Sequence, residues 1–554
     1  MTPEQLSDAI VAALASLVGE GKIALPDGVP TAVRVERPKV KEHGDYATNV
    51  ALQLAKKAGQ SPRDFASLLA DQLSASDGVA SAEVAGPGFL NIRVEADAQA
   101  ALAPQIVEAG SSYGTSDAYA GQRINLEFIS ANPTGPLHLG HTRWAAVGDA
   151  MARVLSAAGA DVTREFYTND RGSQMDKFGA SLMASAHGRP VPGDGYHGDY
   201  VHDLARQIVA SDAGITSLPD DEQLIAFREA GYEQQLAEQS AQLDDFRTHF
   251  DVWFSERSLH ESGAVEHGLD VLKQQGHLFE EGDALWMRTT EFGDDKDRVL
   301  VRGNGELTYF ASDTAYYVNK RERGFDLCIY LLGADHHGYV GRLKAMAACA
   351  GDKPEVNLQV LIGQLVKIMQ NGQEIKLSKR AGTLVTLQEL VDLIGVDSLR
   401  YTLSRYASES PLTLDVEAIT RQASDNPVFY VQYAHARLAS ILRNGADLGL
   451  VPALETFDPA LLSHEREGSL LRALAEFPRV VAKAAELREP HRVARYLEDT
   501  ASTFHKFYDV CRVLPLGAEE PSEAHRSRLM LIAATRTTIA NGLDLLGVSA
   551  PERM

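Results

Sequence analysis

Apolar residues at Leu6, Ile10, Leu14 and Leu17 recur at helical spacing and predict an amphipathic first helix. After the turn Gly86-Pro87-Gly88 the pattern switches to alternation over residues 89–94, a strand signal, and an alanine-rich stretch at 96–108 leads away from it. From about 121 the texture changes. Residues 124–129 read as a strand, 130–136 as a turn-rich loop, 137–158 as a long helix and 161–167 as a second strand. Strand, helix, strand is the unit from which parallel sheets are built. The stretch from about 180 to 295 is polar and punctuated by Gly and Asp, with a helical pattern over 233–254, and reads as an insertion. Buried-strand runs return at 327–332 and 358–362, and beyond about 386 the periodicity is helical almost to the end.

Composition narrows the class without naming a chemistry. A length of 554 residues, 44% apolar and 23% charged, fits roughly three or four folded domains. Cys328, Cys349 and Cys511 lie far apart with no C-x-x-C pair, which argues against a disulfide framework, an iron–sulfur cluster and a cysteine-ligated zinc. The first residues are acidic and amphipathic rather than a secretory signal, and no apolar run approaches the ~18 residues of a membrane span. The expectation is a cytoplasmic protein. The net charge is −23, yet residues 421–554 hold 16 basic and 17 acidic residues, so the acidity lies in the first 420. Phosphate binding depends on where Lys and Arg sit, so this balance neither supports nor forbids a nucleic-acid partner.

Two short motifs carry candidate chemistry. His138-Leu139-Gly140-His141 opens the first long helix, where free backbone N–H groups and the helix dipole favour a phosphate. Gly140 permits close approach, and the two imidazoles can donate to phosphate oxygens as charge develops. Taken alone, an H-x-x-H pair is more often incidental, and a metal site is the other alternative. Far downstream, Lys376-Leu377-Ser378-Lys379-Arg380-Ala381-Gly382-Thr383 follows the turn Asn371-Gly372 and offers three cations and two hydroxyls to a triphosphate. Alone it would read as a solvated basic loop.

In this order, with the first motif opening the helix of a strand–helix–strand unit, the pair resembles the HIGH and KMSKS motifs of class I aminoacyl-tRNA synthetases. Leu377 stands for Met and Arg380 for the final Ser, while both lysine places are kept. Residues 127–138 (EFISANPTGPLH), 333–339 (GADHHGY), 426–437 (NPVFYVQYAHAR), 43–49 (HGDYATN) and the ending Ala550-Pro551-Glu552-Arg553-Met554 resemble the arginyl-tRNA synthetase family along the whole chain.

The resemblance implies an α/β Rossmann-like catalytic domain with an N-terminal α+β module and a C-terminal all-α helical domain. The boundaries it suggests are 1–105 for the tRNA-binding module, 106–420 for the catalytic domain with its insertion, and 421–554 for the anticodon-binding domain. It implies ligation of arginine to its tRNA with ATP as substrate, Mg²⁺ on the nucleotide phosphates, no tightly bound protein metal, no membrane partner and a monomer. His138, His141, Lys376 and Lys379 would be catalytic. Gly140, Gly333, Asp335, His337 and Ser378 would contact ATP, although Asp335 and His336 alone could also be metal ligands.

Glu127, Asn132, Tyr309 and Asp313 would hold arginine. That agrees with the need of a guanidinium for planar carboxylate partners, and a carboxylate within an apolar strand needs a partner in any case. Tyr430, Tyr433 and Arg437 fall on one helical face, a stripe more often core than base platform. The resemblance makes them anticodon readers, together with Tyr508 and Met554. It also implies that tRNA binds before arginine is activated. Rival readings are a nucleotidyltransferase with the same histidine motif, a non-catalytic RNA-binding paralogue and a class I synthetase for another amino acid.

Overall fold

The computed structural model describes residues 1–38, 40–375 and 385–554. The first module builds its own core. Helices α1 (Pro3–Gly19) and α2 (Pro62–Ser74) cover one face of an antiparallel sheet of β1 (Tyr46–Thr48), β2 (Val79–Ala85) and β3 (Phe89–Val94), with β3 in the middle. The helical spacing of Leu6, Ile10, Leu14 and Leu17 meets the strand alternation of Leu90 and Ile92 there, and all six are buried. The helices that follow, Ala96–Ala100 and Leu102–Ala109, bury Ala100, Leu102, Ala103 and Ile106 in the core of the C-terminal helices.

The catalytic-type fold is a five-stranded parallel sheet of β4 (Arg123–Glu127), β5 (Asp161–Thr168), β6 (Val252–Ser255), β7 (Leu327–Gly333) and β8 (Leu358–Gly363). Its spatial order is β8-β7-β4-β5-β6. The chain runs outward in one direction from β4 and in the other from β7, so β4 and β7 flank a topological switch point, where open parallel sheets bind ligands. Helix α3 (Leu139–Ala157) starts just beyond that point, and α5 (Tyr309–Glu322) precedes β7, with α4 (Asp220–Asp245) between them in sequence.

Two expectations need correction. The helical pattern placed over 233–254 belongs to α4, which starts at Asp220 and stops at Asp245. Arg247 takes a left-handed φ of 60°, the Asp251 carboxylate accepts the Arg164 N–H, and Val252-Trp253-Phe254-Ser255, rich in β-formers, becomes the sheet edge. A strand thus lies inside the stretch read as an insertion. The largely helical reading beyond about 386 also misses Leu412–Asp415, which pairs in parallel with Val366–Gln370 and is too short for a periodicity signal.

The C-terminal helices α7 (Pro427–Asp447), α8 (Phe477–Leu487), α9 (His491–Tyr508) and α10 (Glu523–Leu545) share one apolar core. They are pinned to the sheet through Arg400 on α6 (Val396–Ser404), which is fully buried. Its guanidinium pairs with Asp149 of α3 at 2.5 Å. It also donates to the carbonyls of Phe246, Arg247 and Leu546 at 2.8–3.1 Å. Gly547, at φ +64°, is required beside it, because a Cβ there would lie 2.2 Å from Nη2.

Asp149 also pairs with Arg153 at 2.7 Å and Arg164 at 3.5 Å, so loss of Arg400 would leave it partly paired but would take their donor from three carbonyls and empty a fully buried site. Arg400→Ala is therefore expected to lower stability by about 3–5 kcal/mol, and Gly547→Ala by about 1–3 kcal/mol through clash and backbone strain. Both should appear as lower midpoints in thermal unfolding. Unchanged midpoints would show that the bridge contributes nothing to stability.

Candidate functional site

The site is built on the loop leaving β4. Ile129 and Ser130 both have positive φ, 68° and 45°, strained for an L residue and more so for a β-branched one. The strain is held by Ser130 Oγ, which donates to Glu127 Oε1 at 3.0 Å and accepts the Tyr167 N–H at 3.1 Å. Residues with strained backbone thus bracket the end of the strand where Glu127 sits.

His138 caps α3, and its Nδ1 accepts the Gly140 N–H at 3.1 Å. His141 Nδ1 accepts the His138 N–H at 3.3 Å, and the two rings stack with centroids 3.9 Å apart. An imidazole whose Nδ1 accepts carries its proton on Nε2 when neutral, so both rings are set as Nε2–H donors. Residues directly after the second motif lie alongside. Thr386 bridges to His138, and the Leu139 N–H donates to the Val385 carbonyl at 3.2 Å. Lys376, Ser378 and Lys379 themselves lie outside the described residues. Arg143, one turn further along α3, is buried and donates to the carbonyls of Gln364, Ala407 and Ser410 at 2.8–2.9 Å.

At the ends of β4 and β5 lies a cluster of carboxylates. Glu127 is buried and faces Glu165 across the β4–β5 register. Lys320 of α5, fully buried, donates to Glu127 Oε2 at 2.5 Å and lies 4.0 Å from Glu165. Arg323 grips Glu165 with two hydrogen bonds of 2.6 and 2.8 Å. Burial alone would raise the Glu165 carboxyl, but Arg323 and Lys320 overturn that and hold it below the usual carboxylate range.

Asp313, one helical turn past Tyr309, makes no ion pair among the described residues, although Arg342, which packs over the Tyr339 ring at 4.5 Å, and His336 act on it from further off. It accepts a hydrogen bond from the Tyr339 hydroxyl. Burial, then the charge of Glu127, outweighs that bond and pushes its carboxyl up to about 6. Glu256 is the fourth carboxylate of the cluster, buried, and is raised by burial and then by Asp313 against a hydrogen bond from Tyr167. Electrostatically the pocket asks for a cation.

Other expected positions are less enclosed. Asn132 Nδ2 donates to Gln174 at 2.9 Å, and its carbonyl accepts from the buried Gln239. Tyr309 is 75% exposed at the first turn of α5. Gly333 ends β7, and Asp335 and His337 follow on an exposed 3₁₀ turn, Ala334–Tyr339, at the switch point. A Cβ on Gly333 would lie 2.6 Å from Asp335 Oδ1. Among the described residues no group of three or more His, Cys, Asp or Glu is arranged to hold a metal ion. None of the described helices is long and apolar enough to cross a membrane.

On the helical domain, Tyr430, Tyr433 and Arg437 line a cavity of about 370 Å³ with Phe429, Ser424 and His505. Arg437 packs over Tyr508 at 4.4 Å and over Tyr433 at 6.0 Å. Met554 is 57% exposed and does not line this cavity. The residues before it are tied to α7, with the Pro551 carbonyl at 2.9 Å from His435 Nδ1 and the Glu552 carbonyl accepting from Arg443 at 3.0 Å.

Sequence reasoning did not find Ser130, Lys320, Glu256 or His505. None of the four carried a signal, since the strand that Glu256 follows was itself read as helix. His505 sits 5.2 Å from Tyr430, and its Nε2 is buried without a hydrogen-bond partner. Burial and then Arg437 lower its pKa, so it is a neutral polar edge inside an aromatic cavity.

Comparison with known proteins places these sites in a family. Residues 4–94 match the arginyl tRNA synthetase N terminal domain, 104–188 the class I (R) tRNA synthetase catalytic domain and 431–554 the DALR anticodon binding domain. The chain is 56% identical over 555 residues to the arginine–tRNA ligase of Paenarthrobacter aurescens, and 56% identical over 554 residues to that of Frankia alni, covering all of each. Its fold superposes on a putative arginyl-tRNA synthetase from Campylobacter jejuni with a TM-score of 0.76 at 29% identity, over 83% of this chain and all of that one. The Thermus thermophilus arginyl-tRNA synthetase gives the same TM-score at 23% identity, over the full length of both chains. By whole-chain identity and by three domain matches in order, the chain belongs to the arginyl-tRNA synthetase family.

Proposed function

We propose that this arginine–tRNA ligase works through the residues assembled above. The observation that carries the assignment of roles is the cluster of Glu127, Asp313 and Glu256, of which, among the described residues, only Glu127 forms an ion pair, while Arg342 and Arg171 act on the other two from a distance. Such a pocket suits a guanidinium, which offers paired donors to carboxylates and stays charged when desolvated. Asn132 would meet the α-amino or carboxylate end, and Tyr309 would cover the side chain. Domain limits of 1–105, 106–420 and 421–554 accompany the assignment.

The arginine carboxylate attacks the α-phosphorus of ATP, forming arginyl-adenylate and releasing pyrophosphate. It is already a nucleophile, so this step needs no general base. His138 and His141, held as Nε2–H donors, would stabilise charge on the α-phosphate. Lys376 and Lys379 would neutralise the departing pyrophosphate, with Ser378 on the nucleotide. Gly140, Gly333, Asp335 and His337 would bind the rest of ATP. Mg²⁺ bound with the nucleotide would supply charge neutralisation on its phosphates, and no side chain of this chain is assigned to it. The 2′-hydroxyl of the terminal tRNA ribose then attacks the activated carbonyl and AMP leaves. Tyr430, Tyr433, Arg437, Tyr508 and Met554 would read the anticodon loop, and tRNA bound there would complete the site for arginine.

Arginine-dependent exchange between ATP and pyrophosphate is expected only when arginine tRNA is present. Exchange with arginine alone would contradict the coupling, and no exchange in either case would contradict the enzyme.

Asp313 gives a signed pH prediction. Below about 6 the empty site is protonated, so the KM for arginine should rise as pH falls through 6, by up to about tenfold per unit. Because the folded carboxyl lies above its ordinary 3.8, its ionisation costs stability that grows as pH rises from about 4 to 6 and is then constant. Asp313→Asn should therefore raise the unfolding free energy at pH 8 by about 1–3 kcal/mol while abolishing arginine activation. A variant that is less stable and still active would refute the role.

Tyr433→Ala removes one stacking face and should raise the KM for tRNA about ten- to a hundredfold, with kcat for exchange little changed at saturating tRNA. An unaltered KM would remove Tyr433 from the interface.

A further inference from the structure

The segment between β5 and β6 ends in α4, where every fourth residue from Gln223 to Leu243 is buried and three of those six are glutamines. A face kept only for packing would be apolar, because a buried amide costs stability unless each of its polar atoms is satisfied. Gln239 is fully buried, and its amide reaches out of the segment. Its Nε2 donates to the Asn132 carbonyl at 3.2 Å and to the Gly135 carbonyl at 2.8 Å. Its Oε1 is buried with no hydrogen-bond partner among the described residues. The side chain thus leaves one polar atom unsatisfied while it holds two carbonyls of the loop between β4 and α3.

Two neighbours act on the same loop. Tyr200, at the start of the helix Asp199–Ser211, donates its hydroxyl to the Thr134 carbonyl at 3.0 Å. Gln174, at the start of the helix Ser173–Ala186, accepts from the Asn132 side-chain amide at 2.9 Å. Asn132 is therefore held at its carbonyl and at its side chain by two different helices, while the residue itself is exposed to the open site.

The same helix reaches the neighbouring strands. About 15 Å toward the start of α4, at 1.5 Å per residue, Glu229 pairs with Arg257 at 2.8 Å. Arg257 follows β6, and its guanidinium donates to the Asp170 carbonyl just past β5 at 2.9 Å. Because β4, β5 and β6 are successive neighbours in the sheet, α4 ties together the loops that leave all three, on the edge where such sheets take their ligands.

We infer that Gln239 is a positioning residue for arginine activation: it fixes the loop that presents Asn132 to the α-amino and carboxylate end of arginine. The inference rests on the assignment of Asn132 in the proposed function. A displacement of about 1 Å in the reacting geometry can cost about a hundredfold in rate, so a turn-rich loop that orients the nucleophile has to be set before the substrate arrives. Gln239 sets it from behind, three residues before His138 begins the capping of α3.

The test is arginine-dependent exchange between ATP and pyrophosphate at saturating arginine tRNA. The full-length proteins compared are the unmodified chain, Gln239→Met, Asn132→Ala and the double variant. Gln239→Met keeps the length of the side chain and removes both donors, and Gln239→Leu replaces it if the methionine variant does not fold. Loss of positioning is expected to lower kcat/KM for arginine at least about tenfold with the KM for tRNA unchanged. Inhibition by n-butylguanidine, which has the side chain of arginine without its α groups, should be as strong as in the unmodified chain. The double variant should be no worse than Asn132→Ala alone, because both changes act on one contact.

A Gln239→Met variant with full kcat/KM for arginine would overturn the inference and leave the Asn132 assignment standing. So would a loss that multiplies with that of Asn132→Ala, or one that weakens n-butylguanidine equally, since either would make Gln239 a support of the fold alone. An Asn132→Ala variant that activates arginine normally would refute the Asn132 assignment itself and the inference with it.

Discussion

Two carboxylates side by side on neighbouring strands, Glu127 and Glu165, would repel each other beneath a buried helix if nothing neutralised them. Lys320 reaches both, and Arg323 grips the second. This makes the docking of α5 on the sheet an electrostatic requirement as much as an apolar one. Because α5 is locked by its C-terminal half, its first turns are fixed too, and they carry Tyr309 and Asp313 to the mouth of the sheet. Tyr316 adds to the lock by donating to Glu165, and the rings of Tyr316 and Tyr330 lie 4.3 and 3.9 Å from the Lys320 ammonium. The charge left over, on Asp313 and Glu256, lies where a cationic ligand would meet it.

A second buried cation does for the domains what Lys320 does for the site. Arg400 satisfies Asp149 in the middle of α3, the carbonyls that end α4 and the Leu546 carbonyl near the C-terminus. Beside it, Asp397 pairs with Arg247 and accepts from Gln432 of α7 and from Ser549. The helix that begins with His138 and the helix that carries Tyr430 and Tyr433 therefore share one polar network at the domain seam. The aromatic cavity and the start of α3 therefore share one support.

Much of this was legible in the sequence because it is written in local patterns. The strands at 327–333 and 358–363 are short apolar runs, and the start of α3 follows a strand and a turn-rich loop. What was not legible depends on the third dimension. Lys320 lies in the last turn of a helix, where a lysine ordinarily faces water, and its burial follows only from carboxylates nearly 160 and 200 residues earlier. Ile129 carries no sign of a positive φ, since strain is imposed by Ser130 bonding to two different strands. Val252–Ser255 was absorbed into a helical reading because the chain turns out of α4 just past Asp245, at Arg247, a residue that gives no stop signal. His505 reads as one more polar position on an amphipathic helix until Tyr430 and Tyr433 close around it. The second motif was legible entirely from its residues, and 376–384 lie outside the described residues.

The central claim is that uncompensated carboxylates select a guanidinium. The most direct measurement compares arginine with citrulline, its neutral isostere, in tRNA-dependent exchange between ATP and pyrophosphate. Selection by charge predicts that citrulline is discriminated against by at least about 10³-fold in kcat/KM, since buried carboxylates would be left facing a neutral urea. Comparable use of the two amino acids would show that shape rather than charge defines the pocket, and would contradict the account.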